Sequence, residues 1–108
     1  MLETRKAFDE ARKIVAVPGV DGVFVGPSDL AVSLGLQPGD VLNTEVRRRC
    51  DELADLCSEF GVVAGIGSHT IEQAQTWLAA GFQILSIGRD LTLLTDGMGE
   101  RLARLRSA

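Results

Sequence analysis

Three stretches of the sequence end alike: Val25-Gly26-Pro27-Ser28-Asp29, Gly65-Ile66-Gly67-Ser68-His69 and Ser86-Ile87-Gly88-Arg89-Asp90. Each runs from apolar residues into a glycine and then delivers an ionisable side chain just where a helical pattern begins. The groups delivered are a carboxylate, an imidazole and a guanidinium. A carboxylate after Gly-Pro-Ser can cap the next helix or serve chemistry beyond the fold. His69, the only histidine, has the type of a general base, and its bland reading is a surface residue at a helix start. Arg89 could meet an anion, or simply pair on the surface with Asp90 or Glu72.

The elements that must position these groups alternate along the chain. Arg5–Val17 carries Ala7, Phe8, Ala11, Ile14 and Val15 at helical spacing, and Pro18-Gly19 stops it. Val20–Val25 reads as a short apolar strand. A long connection, 26–43, follows, with a helical turn at Asp29–Leu34 and a turn at Gln37-Pro38-Gly39-Asp40. Thr44–Phe60 is the next helix, capped by Asn43 or Thr44, favoured by Glu45 at its positive end and closed by Gly61. Val62–Ile66 is a second strand. Ser68 or Thr70 caps a helix to Ala80, with Thr70 and Gln73 at capping-box spacing. Phe82–Ile87 is the third strand. The last helix, 90–106, puts Leu91, Leu94, Met98, Leu102 and Leu105 on one face.

The order αβαβαβα predicts an α/β fold with three parallel strands and four helices. Strands this short and this apolar on both faces suit a parallel sheet covered by helices. Three strands leave two open edges, so the chain is either a minimal open sheet or part of something larger. A whole (β/α)8 barrel takes about 250 residues, so this chain could supply only its last few units. In such folds the chemistry sits at the strand carboxyl ends, and the loops after the last two barrel strands often bind phosphate.

Composition narrows the function classes. The chain has 108 residues, enough for one small domain spanning 1–108. It is 45% hydrophobic and 24% charged, a globular rather than a disordered balance. A net charge of −4 argues against nucleic acid as a partner. No apolar run approaches a membrane span, and Met1–Ala11 lacks the apolar core of a signal peptide, so a cytoplasmic protein is expected. Cys50 and Cys57, seven apart among Val46, Leu53, Ala54 and Phe60, read as buried thiols on one helix face; a metal or redox pair is the alternative. Arg47-Arg48-Arg49 is offset by Asp51, Glu52 and Asp55 and reads as a solvated helix face. Trp77, Phe82 and Met98 read as packing residues.

Leu2–Phe8 (LETRKAF), Ala16–Gly35 (AVPGVDGVFVGPSDLAVSLG) and Gly81–Leu94 (GFQILSIGRDLTLL) together resemble the C-terminal part of the HpcH/HpaI aldolase family. The resemblance implies a partial (β/α)8 TIM barrel, beginning at the exit of its fifth strand. It also implies a metal-dependent, class II aldolase acting on small 2-oxo acids such as pyruvate. The family's metal is held by a glutamate in E-T-R and an aspartate in G-P-S-D, which match Glu3 and Asp29. Two carboxylates, water and a bidentate oxo acid make an all-oxygen site suited to Mg²⁺ or Mn²⁺, a Lewis acid for the pyruvate enolate. The resemblance makes Gly26, Pro27, Ser28 and Asp29 substrate-binding, with the N–H groups of Ser28 and Asp29 on the substrate carboxylate. Gly26 allows close approach and Pro27 fixes the turn. Arg5 matches the arginine of E-T-R, or is a solvated first-turn residue. Glu3 is expected to lack the strand that should position it, because only Met1 and Leu2 precede it.

The family's histidine base and its oxo-group arginine come from early barrel strands, and neither position occurs in these 108 residues. The expected function is therefore a carbon–carbon lyase releasing pyruvate from 4-hydroxy-2-oxo acids, incomplete in this chain. The alternatives are a non-catalytic module binding metal with an oxo acid or phosphate, and a self-assembling barrel fragment. The apolar stripe on the last helix makes a homo-oligomer the expected state, as does the family's packing of that helix onto a neighbouring subunit.

Overall fold

The computed structural model describes all residues from Met1 to Ala108. The elements in chain order are α1 (Arg5–Asp9), α2 (Ala11–Val15), β1 (Gly22–Val25), α3 (Pro27–Ser33), α4 (Thr44–Phe60), β2 (Val63–Ser68), α5 (Ile71–Ala79), β3 (Ile84–Ile87) and α6 (Asp90–Arg106). The strands form one parallel sheet in the order β1-β2-β3. Val25, Ile66 and Leu85 stand level across it, so the three strand ends emerge at one rim.

The sheet is three-stranded and parallel, as expected, but the helices number six rather than four. The first stripe breaks at Glu10, whose φ of −98° and ψ of 6° leave the helical region. The apolar positions on both sides still face inward, and Ala11 and Val15 are buried. The Gly-Pro-Ser-Asp turn begins a helix rather than preceding one. Pro27 occupies its first position, where a fixed φ helps and a missing N–H costs nothing. Asp29 therefore lies inside the first turn, and Gly26 is the cap residue. β2 runs on to Ser68, which is buried and donates to the Ser86 carbonyl at 2.6 Å. Thr70 is the cap of α5, accepting from Gln73 N–H at 3.2 Å.

The core lies between the sheet and helices α2 to α5. Leu2, Val25, Leu30, Val46, Leu53, Ile66, Trp77 and Phe82 are all buried there. Trp77 meets Phe82 edge-on at 6.0 Å, which confirms both as packing residues. Cys50 and Cys57 are buried in the same cluster. Burial, with Asp51 close by, pushes the Cys50 thiol up to about 12, and burial raises that of Cys57. These are structural thiols, poor nucleophiles and poor metal ligands. Phe60 departs from the expected stripe: it is 38% exposed, under the guanidinium of Arg12 at 5.2 Å. Gly61, with φ of 65°, ends α4 in the left-handed conformation that glycine adopts without strain.

The last helix overturns one packing expectation. No residue of α6 is buried, and Met98 is 53% exposed. The stripe therefore packs against nothing within the single chain.

Two of the three arginines on α4 are neutralised, though by a different set of acids from the one expected. Arg48 pairs with Glu45 and Glu52, and Arg49 with Glu45 and Asp9; neither Asp51 nor Asp55 takes part. Hydrogen bonds from Arg48 and Arg49 hold the Glu45 carboxyl down at about 2, against roughly 4.3 for an unfolded glutamate. A depressed folded value adds stability above the unfolded one and loses it as pH falls through the folded one. The contribution is small, because these groups stand in water. Urea midpoints measured from neutrality down to pH 2 should fall more steeply for the wild type than for Glu45→Gln below about pH 4.3. Parallel curves would remove the clamp from the stability of α4.

Candidate functional site

The carboxyl rim of the sheet begins with a piece of chain too short to be a strand. Leu2 forms a parallel bridge with Val25. Its N–H donates to the Phe24 carbonyl at 2.8 Å, and its carbonyl accepts from Gly26 N–H at 3.2 Å. Leu2 is buried, so Glu3 turns to the face away from the helices. There the Glu3 side chain lies directly on Gly26. A Cβ built on Gly26 would stand 2.6 Å from Glu3 Oε1 and 3.0 Å from its Cγ. The expectation that Glu3 lacks a positioning strand is thus corrected: two ladder hydrogen bonds suffice to seat it.

Both segments are anchored further along. Thr4 Oγ1 accepts from Ala7 N–H at 3.1 Å and caps α1. Arg5 N–H donates to Ser33 Oγ at 2.9 Å, tying the Glu-Thr-Arg segment to the end of α3. In the first turn of α3 the N–H groups of Ser28 and Asp29 donate to no backbone or side-chain acceptor, and Gly26 offers no capping side chain. Neither Glu3 nor Asp29 enters an ion pair. Glu3 is half-buried and Asp29 exposed. The structure therefore brings Glu3 onto the first residue of Gly-Pro-Ser-Asp, with open amides and a second unpaired carboxylate on the same short segment.

The donor set is compatible with a hard divalent cation. Magnesium is commonly held by one or two carboxylates, with water and substrate oxygens completing its shell. No group of three or more His, Cys, Asp or Glu side chains gathers anywhere in the chain, so a closed all-protein cage is not formed. The close fit of Glu3 over Gly26 is the kind of cradle such a pair needs, since any larger residue at 26 would collide with the carboxylate.

His69 and Arg89 lie on the next two strand exits. Arg89 pairs with neither Asp90 nor Glu72; its Nη2 meets His69 Nε2 at 3.3 Å. This pairing escaped the reading of each residue alone. The signal was the shared Gly-Ser-His and Gly-Arg-Asp endings on strands that prove to be neighbours. A groove of about 530 Å³ lies away from this rim, between α1, α2 and α4. Most of its charges are matched, Arg12 to Glu59, Arg49 to Asp9 and Arg48 to Glu52.

Known proteins share this fold. Residues 1–97 match the family model described as HpcH/HpaI aldolase/citrate lyase. A 2-keto-3-deoxy-L-rhamnonate aldolase of Shigella dysenteriae serotype 1 is 36% identical over 106 residues, which are 98% of this chain and 39% of that protein. An HpcH/HpaI aldolase/citrate lyase family protein from Burkholderia cenocepacia J2315 superposes with a TM-score of 0.91 at 31% identity, over 97% of this chain and 40% of the other. The HpcH/HpaI aldolase of Desulfitobacterium hafniense DCB-2 gives 0.85 at 26% identity, over 98% of this chain and 41% of the other. The chain thus spans about two fifths of the length of these relatives, and its sheet and helices are part of a (β/α)8 barrel. With the Glu-Thr-Arg and Gly-Pro-Ser-Asp segments seated against each other in that fold, the chain belongs to the HpcH/HpaI aldolase/citrate lyase family.

Proposed function

We propose that this chain provides the metal- and carboxylate-binding part of an aldolase that releases pyruvate from 4-hydroxy-2-oxo acids. The observation that carries the reading is Glu3 seated on Gly26, which places a carboxylate beside the turn that bears Asp29. The relative named as an aldolase of a 2-keto acid supports the substrate class.

Glu3 and Asp29 would hold Mg²⁺ or Mn²⁺ through oxygen alone. When bound, the cation supplies Lewis acidity toward the oxygens of a 2-oxo acid. The chain's own part is to orient that acid. The free N–H groups of Ser28 and Asp29 point the turn's partial positive charge at the substrate carboxylate. Pro27 offers no N–H and holds the turn. Cleavage also needs a base for the hydroxyl proton and an acid for the enolate carbon. The one histidine stands on the β2 exit with Nε2 engaged by Arg89, so those proton transfers are assigned to no residue of this chain.

We also propose that a second copy of the chain covers α6. The helix buries nothing, Ile87 beside it on β3 is 55% exposed, and the molecule is 58 Å long. Its Cα radius of gyration is 16.3 Å, where a compact chain of 100 residues has about 13 Å. Five large apolar residues on one face are worth roughly 7–15 kcal/mol if fully buried, an upper range before entropy is subtracted.

Calorimetric titration with Mn²⁺ should show saturable binding that Asp29→Ala abolishes. Gly26→Ala should weaken it too, by displacing Glu3 rather than by backbone strain, since Gly26 has an ordinary φ of −95°. No saturable binding in the wild type would sink the metal assignment.

The isolated chain should exchange the pyruvate methyl protons with deuterium slowly or not at all. Rapid exchange by a proven monomer would show that a base is present after all. Binding without exchange favours the module reading of this chain.

Light scattering should detect an oligomer that Leu94→Glu or Leu102→Glu dissociates or unfolds. A cooperatively folded monomer at micromolar concentration would contradict the assembly.

A further inference from the structure

We propose that His69 and Arg89 form an oxyanion subsite that takes the far end of the substrate, a carboxylate or phosphate on the aldehyde half. The inference deepens the aldolase reading and rests on it only for what the anion is attached to.

The pair stands exposed at the exits of neighbouring strands. Arg89 follows β3 in extended conformation, with φ of −127° and ψ of 153°. Its guanidinium makes no ion pair. The adjacent Asp90 is turned to its own backbone, accepting from Leu91 N–H at 2.8 Å. What holds Arg89 is His69, at 3.3 Å. A guanidinium has no acceptor, so in this contact Arg89 can only donate. The His69 backbone is anchored: its main-chain N–H donates to Gln73 Oε1 at 2.8 Å, and Gln73 N–H donates to Thr70 Oγ1, while the imidazole and the guanidinium are both exposed. The result is a positioned cation with its remaining donors open to solvent, a fork suited to oxygen anions.

Its place fits the far end of a ligand. Val25, Ile66 and Leu85 stand level, so Asp29 and Arg89, each four residues further on, share one rim. Two strand spacings separate β1 from β3, about 10 Å. A 2-oxo acid seated by Glu3 and Asp29 would extend its other end along the rim toward Arg89. The subsite would favour substrates with a distal acidic group over those with a neutral tail.

His69 is the only histidine, so its ring resonances report on this place alone. The full chain, free of metal, is titrated at constant pH and ionic strength with inorganic phosphate, and in a second arm with propionate, each replacing chloride. The expected result is a saturable shift of the His69 ring signals, retained in Asp29→Ala and weakened at least about tenfold in Arg89→Gln. Tighter phosphate assigns a phosphate tail, tighter propionate a carboxylate tail. Shifts that stay linear in both arms overturn the subsite, as does a saturable response unchanged by Arg89→Gln. Because no metal is present, this outcome is independent of whether Glu3 and Asp29 bind Mn²⁺.

Discussion

Two backbone hydrogen bonds, from Leu2 N–H to Phe24 O and from Gly26 N–H to Leu2 O, decide where Glu3 stands relative to the Gly-Pro-Ser-Asp turn. They set Leu2 level with Val25. Parallel pairing then leaves no freedom: Leu2 joins Val25 in the core, and Glu3 goes to the other face, onto Gly26. A slip of one residue would send Glu3 into the apolar layer and Leu2 into water. Burying an unpaired carboxylate costs far more than the bridge itself contributes. The register is therefore enforced by the same apolar contact that gives the core its edge.

That arrangement divides the molecule. On one side of the sheet, helices α2 to α5 close over Leu30, Leu53, Ile66 and Trp77, and salt bridges between α4 and its neighbours decorate the outside. The other side carries the alternate set of strand residues, among them Ile84 at 55% exposure. Stability is concentrated in the helix-covered layer. Glu3, Asp29, Arg89 and the Ser28 and Asp29 amides, each without an ion pair or a protein acceptor, lie along the rim. Such a division is what an α/β barrel uses to vary its chemistry while keeping its core.

Much of this was legible before any coordinates. The strands announced themselves as short apolar runs between glycines, and their parallel order followed from the intervening helices. The family was legible as a resemblance, carried by Leu2–Phe8, Ala16–Gly35 and Gly81–Leu94. Three features were not legible, each because it depends on pairing across the chain. Glu3 seemed unsupported because a two-residue bridge leaves no periodicity to detect. The break at Glu10 leaves the apolar spacing intact, so the stripe reads as one helix. The third was the partner of Arg89, since sequence neighbours such as Asp90 are visible and a residue on the adjacent strand is not. The α6 stripe shows the opposite difficulty: its helical spacing was legible, but spacing does not say whether the face packs within the chain, and it does not.

Paramagnetic broadening by Mn²⁺, read from backbone amide signals at substoichiometric metal, tests the seating of Glu3 beside the Gly-Pro-Ser-Asp turn most directly. The amides of Glu3, Gly26, Ser28 and Asp29 should broaden first and together, while those of Arg104–Ala108 stay sharp. Broadening centred on the acids of α4, at Glu45 and Glu52, or broadening of Asp29 without Glu3, would contradict a site built by the Leu2–Val25 bridge.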